Sequence, residues 1–167
     1  VQPMFTKMVL PRLGGAPAVW SVAMVFFQAT LLAGYAYAHG LMRLTRPQVA
    51  LAIHVAVMIA AVFVLPLAIA QGWGAPPQRG EAFWLLALFA VSIGPPFFAL
   101  SANAPLLQAW FARSGHPRAA NPYFLYAASN VGSFLALISY PLALEPLTRL
   151  TDQRRAWSFG FGILIVL

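Results

Sequence analysis

The chain has 167 residues, of which 61% are hydrophobic and 8% are charged, and its formal net charge is +7. Soluble domains carry about 25% charged residues, so this chain has too little polar surface to coat a water-soluble globule. Its ten basic residues lie on short connections between apolar runs and form no patch with interleaved aromatic residues. That pattern excludes a nucleic-acid-binding surface and is typical of arginines that contact membrane lipids. The absence of cysteine excludes a disulfide framework and a thiolate metal site.

Both ends of the sequence fall in apolar, helix-like segments. Residues 1–10 read as the tail of a helix, and no signal-peptide pattern opens the chain. Residues 157–167 supply about half of the ~20 apolar residues that a spanning helix needs. We therefore expect a fragment, or a degenerate copy, of a longer membrane protein.

Two long apolar segments follow in the first half of the chain. Residues 18–41 are long enough to span a bilayer, and Thr30, Gly34 and Ala38 form a row of small residues that predicts a helix-packing face. Residues 48–70 predict a second span, interrupted by His54 and Pro66. The glycines and prolines of residues 71–80 predict a loop.

The next apolar segment, residues 81–110, predicts a broken helix. The run Gly94-Pro95-Pro96 removes two backbone donors, so a helix must kink or break there. Asn103 and Pro105 follow closely. Broken helices at membrane depth are tolerated where they are buried or line a cavity, and in transporters they often mark the binding site.

The most informative segment is the apolar stretch of residues 121–146. It carries a polar stripe, defined as Tyr126, Ser129, Asn130 and Ser133, whose i, i+3, i+4, i+7 spacing places all four on one helical face. A row of small residues at 128, 132 and 136 lies beside the stripe and lets another helix approach closely. Inside a bilayer we expect this stripe to face protein or a cavity.

The predicted fold class is all-α. It is a polytopic transmembrane helical bundle in one domain over residues 1–167, with about four full spans and a partial helix at each end, because only helices and closed barrels cross lipid. The Arg43/Arg46 and Arg113/Arg118 loops are predicted to share one side. Four basic residues on that side against six on the other do not fix the orientation.

The remaining polar residues of the apolar segments are open to two interpretations. Glu145 is either an interfacial carboxylate paired with Arg149 or a site for a proton or cation. Gln28 and Asn103 either hold helices together or contact a substrate. The candidates for a polar lining or for helix packing are Gln28, Asn103, Tyr126, Ser129, Asn130, Ser133 and Glu145.

No catalytic, cofactor or metal site is predicted. The sequence shows no Ser/His/Asp set, no paired carboxylates and no phosphate-binding loop. His39 and His54 favour interfacial or hydrogen-bonded roles over a metal or proton role, since two histidines without a third ligand make a poor metal site.

Three stretches resemble the membrane half of a bacterial family in which a major-facilitator-like bundle is fused to a spermidine-synthase-like domain. They are QPMFTKMVLPRLGGAPAVW (residues 2–20), FFQATLLAGYAYAH (residues 26–39) and PYFLYAASNVGSFLALISYPLALEP (residues 122–146). The resemblance implies a related fold, a place in the inner membrane and a cytoplasmic location for Arg43 and Arg46. It implies no enzymatic activity, because the residues of the synthase-like domain are not in this sequence.

Three functional hypotheses follow. The first is an accessory or structural subunit packed against other membrane protein subunits, and the second is the membrane anchor of a split enzyme. The third is a transporter-like module for a small polar or cationic solute, related to polyamines through the resemblance. A half-sized bundle favours the first two over a stand-alone alternating-access machine.

Overall fold

The computed structural model describes residues 1–13, 18–43, 46–121 and 123–167. All regular structure in these ranges is helical, which confirms the all-α prediction. A 3₁₀ turn, Leu10–Leu13, follows the first helix, and a π-helical turn, Tyr140–Leu144, joins the sixth helix to the seventh. The helices are α1 (Gln2–Val9), α2 (Ala18–Met42), α3 (Pro47–Val62), α4 (Glu81–Ser92), α5 (Gly94–Ala112), α6 (Tyr123–Ser139), α7 (Glu145–Leu147) and α8 (Leu150–Val166).

The packing of α2 along α5 forms the centre of the fold. Gly34 and Ala38 are buried in this contact, where Gly34 faces Ser101 and the backbone of Ala102. The predicted small-residue face on α2 is therefore confirmed, because side chains of this size let two helix backbones approach closely.

An aromatic cluster fills the space between α1, α2, α4 and α5. It consists of Phe5, Phe26, Phe27, Phe89 and Phe97, with neighbouring ring centroids 4.9–5.8 Å apart and mostly edge-to-face. Each such aromatic pair contributes about 0.5–1.5 kcal/mol beyond its burial. The cluster holds the short helix α1 against the rest of the chain.

The predicted break between residues 81 and 110 is confirmed. Helix α4 ends at Ser92, α5 begins at Gly94, and their axes differ by 70°. Pro95 and Pro96 occupy the first turn of α5. Backbone N–H groups in a first turn have no hydrogen-bond acceptor within the helix, so proline costs no hydrogen bond there. Pro105 lies inside α5 without ending it.

The span expected over residues 48–70 is not confirmed. Helix α3 ends at Val62, and the backbone from there to α4 is irregular. Leu67 in this segment is fully buried, Arg154 of α8 donates to its carbonyl, and Ser92 Oγ accepts from the backbone N–H of Ala70 at 2.9 Å. Pro66 has no N–H and disfavours helical backbone at the residue before it. The helix therefore does not continue through this segment, and side chains from distant parts of the chain form hydrogen bonds with the backbone of Leu67 and Ala70.

Two helices in the described residues are long and apolar enough to cross a membrane. They are α2 and the continuous helix Tyr123–Leu147 formed by α6, the π turn and α7, each of 25 residues. The count rises to three if the bent α4–α5 pair forms one span, whereas α3 has only 16 residues. The prediction of about four spans is therefore not confirmed.

The charged residues near the C-terminus lie in the last helix. Helix α8 begins at Leu150, so Asp152, Arg154 and Arg155 lie in its first turns and not in a loop. An acidic residue in the first turn interacts favourably with the helix dipole.

The ends of α2 and α5 meet, as the predicted arrangement of the basic loops requires. Arg113 Nη2 donates to the backbone carbonyl of Met42 at 3.0 Å. This guanidinium joins the C-terminal ends of the two helices, where cations are favoured.

Candidate functional site

An open groove of about 530 Å³ lies between α5 and α6 and extends to α2; we call it the α5–α6 groove. Most of its surface is apolar, from residues such as Leu31, Phe97 and Leu107. Its polar lining residues are Gln2, Tyr35, Ser101, Asn103, Gln108, Ser129 and Ser133.

The structure divides the predicted polar stripe of α6. Ser129 and Ser133 line the groove together with Leu125, at i, i+4 and i+8. Tyr126 and Asn130 are exposed and lie outside the groove lining. Since each residue of a helix is rotated by about 100° from the one before, the groove receives one edge of the stripe and the other edge faces outward.

Helix α6 is little covered by the rest of the described chain. None of its residues is buried, although its sequence is strongly apolar. Large side chains such as Phe134, Leu135 and Leu137 are more than half exposed, as is Tyr126 at 57%. An apolar surface of this extent is typical of contact with lipid or with another protein.

Asn103 connects the groove to a buried histidine. His54 on α3 is only 2% exposed, and its Nε2 lies 3.2 Å from Asn103 Oδ1. The Nδ2 of Asn103 faces the sulfur of Met58 at 3.8 Å. Because a carbonyl oxygen only accepts hydrogen bonds, this amide orientation makes Nε2 the protonated nitrogen of His54.

This pair bears on the interpretations of Asn103 and of the histidines. Asn103 joins α5 to α3, as the helix-packing interpretation predicts, and it also lines the groove. His54 has the hydrogen-bonded role, whereas His39 is exposed near the end of α2. Within the described residues, no three side chains of the His, Asp or Glu types come together as a metal-binding group.

Sequence reasoning missed the contributions of Ser101 and Gln108 to the groove. They are spaced i, i+7 on α5, and this pattern could have been found beside the break at residue 94. Ser101 Oγ donates to the carbonyl of Phe98 at 2.7 Å within its own helix.

Gln28 and Glu145 lie away from the groove. Gln28 is exposed on α2 and forms no hydrogen bond to any described residue, so the predicted helix contact is not made within this part of the chain. Glu145 forms a salt bridge with Lys7 of α1 instead of the expected pair with Arg149. The extended backbone at Thr148 interrupts the helix between them, so the i, i+4 relation of Glu145 and Arg149 is lost.

Comparisons with protein-family models, with curated proteins and with solved structures found no match to this chain. The family resemblance seen in the sequence therefore stays a prediction.

Proposed function

We propose that this chain is a multi-pass protein of the bacterial inner membrane that acts as an accessory or anchoring subunit of a larger membrane complex. The observation that supports the proposal best is the helix Tyr123–Leu147, which is long and apolar enough to span a bilayer, while Tyr126 and Asn130 in its α6 part are exposed and lie outside the groove lining. The proposal assigns no enzymatic activity to the chain.

The energetics of a side-chain amide favour a protein partner for α6. A polar group without a hydrogen-bond partner in hydrocarbon costs several kcal/mol, whereas a hydrogen bond between membrane helices contributes about 0.6–2 kcal/mol. The stripe therefore matches a partner helix that offers a donor or an acceptor to Asn130.

A second exposed side of α6, turned away from Tyr126 and Asn130 by helical spacing, also supports the proposal. A Cβ added at Gly132 would meet no atom within 4 Å, so the small-residue row at 128, 132 and 136 is open to an approaching helix. Small residues at such spacing let two helices pack closely in lipid. The resemblance to a membrane domain fused to a synthase-like domain adds a candidate partner class, a separately encoded enzyme domain with its own membrane helices.

Purification from the native membrane in mild detergent tests the proposal. We expect one membrane protein to co-purify in fixed ratio, and Asn130→Leu to weaken the complex by about 3- to 30-fold, which corresponds to the loss of about 0.6–2 kcal/mol. Gln28→Leu is the matched control, because it removes an exposed amide from α2. A chain that purifies alone, or an equal loss with both variants, contradicts the proposal.

The groove supports a second candidate, a transporter-like module for a small polar or cationic solute. It lies beside the broken α4–α5 pair, a feature that marks binding sites in transporters, and it offers hydroxyl and amide groups together with the ring of Tyr35. An aromatic face attracts cations. The aromatic ring that could bind a cation here is that of Tyr35, since Tyr126 lies outside the groove lining.

Uptake of a labelled polyamine into proteoliposomes tests this second candidate. Ser133→Trp would fill the groove and is expected to abolish uptake, while Asn130→Trp lies outside the lining and is expected to leave it intact. Equal uptake by protein-free liposomes, or equal uptake by the two variants, refutes a transport role for the groove.

A further inference from the structure

Three aromatic side chains with buried polar atoms, Tyr37, His54 and Trp110, lie next to each other where α2, α3 and α5 meet. Tyr37 OH, His54 Nδ1 and Trp110 Nε1 have no hydrogen-bond partner within residues 1–13, 18–43, 46–121 and 123–167. The ring of His54 lies 5.9 Å from that of Tyr37 and 6.3 Å from that of Trp110, centroid to centroid. Buried polar groups almost always have partners, so three atoms without partners on neighbouring rings point to a ligand among these rings.

The hydrogen-bonding capacity of the three atoms defines the chemistry of that ligand. Asn103 Oδ1 fixes the proton of His54 on Nε2, so Nδ1 offers a lone pair and requires a donor. The indole N–H of Trp110 can only donate and requires an acceptor. The hydroxyl of Tyr37 can do both. A hydroxyl group satisfies this set, whereas a simple cation cannot accept from Trp110 and a simple anion cannot donate to His54.

The surroundings limit the size of the ligand. Tyr37 and Trp110 pack against a cluster of buried apolar residues that belong to α2, α3 and α5, namely Ala38, Leu41, Ala50, Ala102 and Leu106. Two of these helices, α3 and α5, also carry the hydrogen-bonded pair His54 and Asn103. Only a molecule of very few atoms fits among side chains packed in this way.

We propose that Tyr37, His54 and Trp110 form a binding site for one internal water molecule that bridges α2, α3 and α5. The water donates to His54 Nδ1, accepts from Trp110 Nε1 and exchanges a hydrogen bond with Tyr37 OH. Three hydrogen bonds are the usual number for a buried water. The site is separate from the outward face of α6 and holds whether or not a partner covers that face.

Nitrogen-15 NMR of His54 in lipid tests the site directly. The substitutions His39→Gln and His116→Gln, both at exposed positions, leave His54 as the single histidine. We expect a protonated Nε2, and an unprotonated Nδ1 whose shift moves from the free-lone-pair value towards the hydrogen-bonded value, with magnetisation transfer to Nδ1 from water protons.

Two variants test whether water binds to His54 Nδ1, and three results would exclude it. Tyr37→Phe is expected to weaken the transfer from water, while Tyr35→Phe, a change of the same kind in the groove, is expected to leave it unchanged. A free Nδ1 lone pair, a proton on Nδ1, or a hydrogen-bonded Nδ1 without transfer from water would each overturn the proposal. The last result would indicate a direct bond from Tyr37.

Discussion

A single methyl group added at Gly34 tests how closely α2 and α5 pack. In Gly34→Ala the new Cβ would lie 1.9 Å from Ser101 Oγ, 3.0 Å from Ser101 Cβ and 3.2 Å from the backbone nitrogen of Ala102. The hydroxyl can rotate away, but the other two atoms move only if α5 moves. Overpacking of this kind lowers the free energy of unfolding by about 1–3 kcal/mol. The higher helix propensity of alanine offsets up to about 1 kcal/mol of this loss.

The matched control is Gly40→Ala in the same helix, where an added Cβ meets nothing within 4 Å. It is expected to be neutral or to stabilise the protein by up to about 1 kcal/mol. The two variants should therefore differ by about 2 kcal/mol, a factor of about 30 in the unfolding equilibrium constant.

Unfolding in mixed detergent micelles, followed by the fluorescence of the five tryptophans, measures this difference. The double variant Gly34→Ala, Ser101→Gly removes both side-chain atoms of the clash and is expected to recover part of the stability. If Gly34→Ala proved as stable as Gly40→Ala, the described α2–α5 contact would be wrong.

Three further predictions concern polar contacts. Glu145→Gln should cost no more than about 1 kcal/mol, because Lys7 and Glu145 are both partly exposed, and a double-mutant cycle in unfolding that gave a much larger coupling would contradict this. Asn103→Leu leaves His54 Nε2–H buried without its acceptor and should cost about 1–3 kcal/mol, measured in the same assay; no loss would show that the pair does not form. Ser92→Ala removes the acceptor that holds the segment before α4 and should speed proteolysis within residues 71–80, whereas unchanged cleavage would show that this contact does not fix the segment.

The elements with local signals could be predicted from the sequence. The break before α5 follows from Gly94-Pro95-Pro96, and the close α2–α5 packing follows from the small residues around Gly34. In both cases the cause lies in a few neighbouring residues, either through missing backbone donors or through side-chain size.

The end of α3 could not be predicted in this way. Residues 63–70 are as apolar as the helix before them, and their irregular backbone depends on hydrogen bonds from Ser92 and Arg154, which are distant in sequence. The pairs His54–Asn103 and Lys7–Glu145 likewise join separate helices. No periodic pattern in the sequence predicts which residues of two separate helices will pair.

The candidate site was predicted in part. The sequence identified Asn103, Ser129 and Ser133, which meet in the α5–α6 groove. It could not determine which edge of the α6 stripe faces the groove, because helical spacing defines a face of the helix but not the direction in which that face points.

Photo-crosslinking from position 130 in native membranes tests most directly whether a protein covers the outward face of α6. A benzophenone side chain replaces Asn130 in one variant and Leu32 of α2, also exposed, in the control. We predict that position 130 gives a protein adduct of one defined mass and that position 32 does not. Lipid adducts alone at both positions would contradict the proposed role as a subunit.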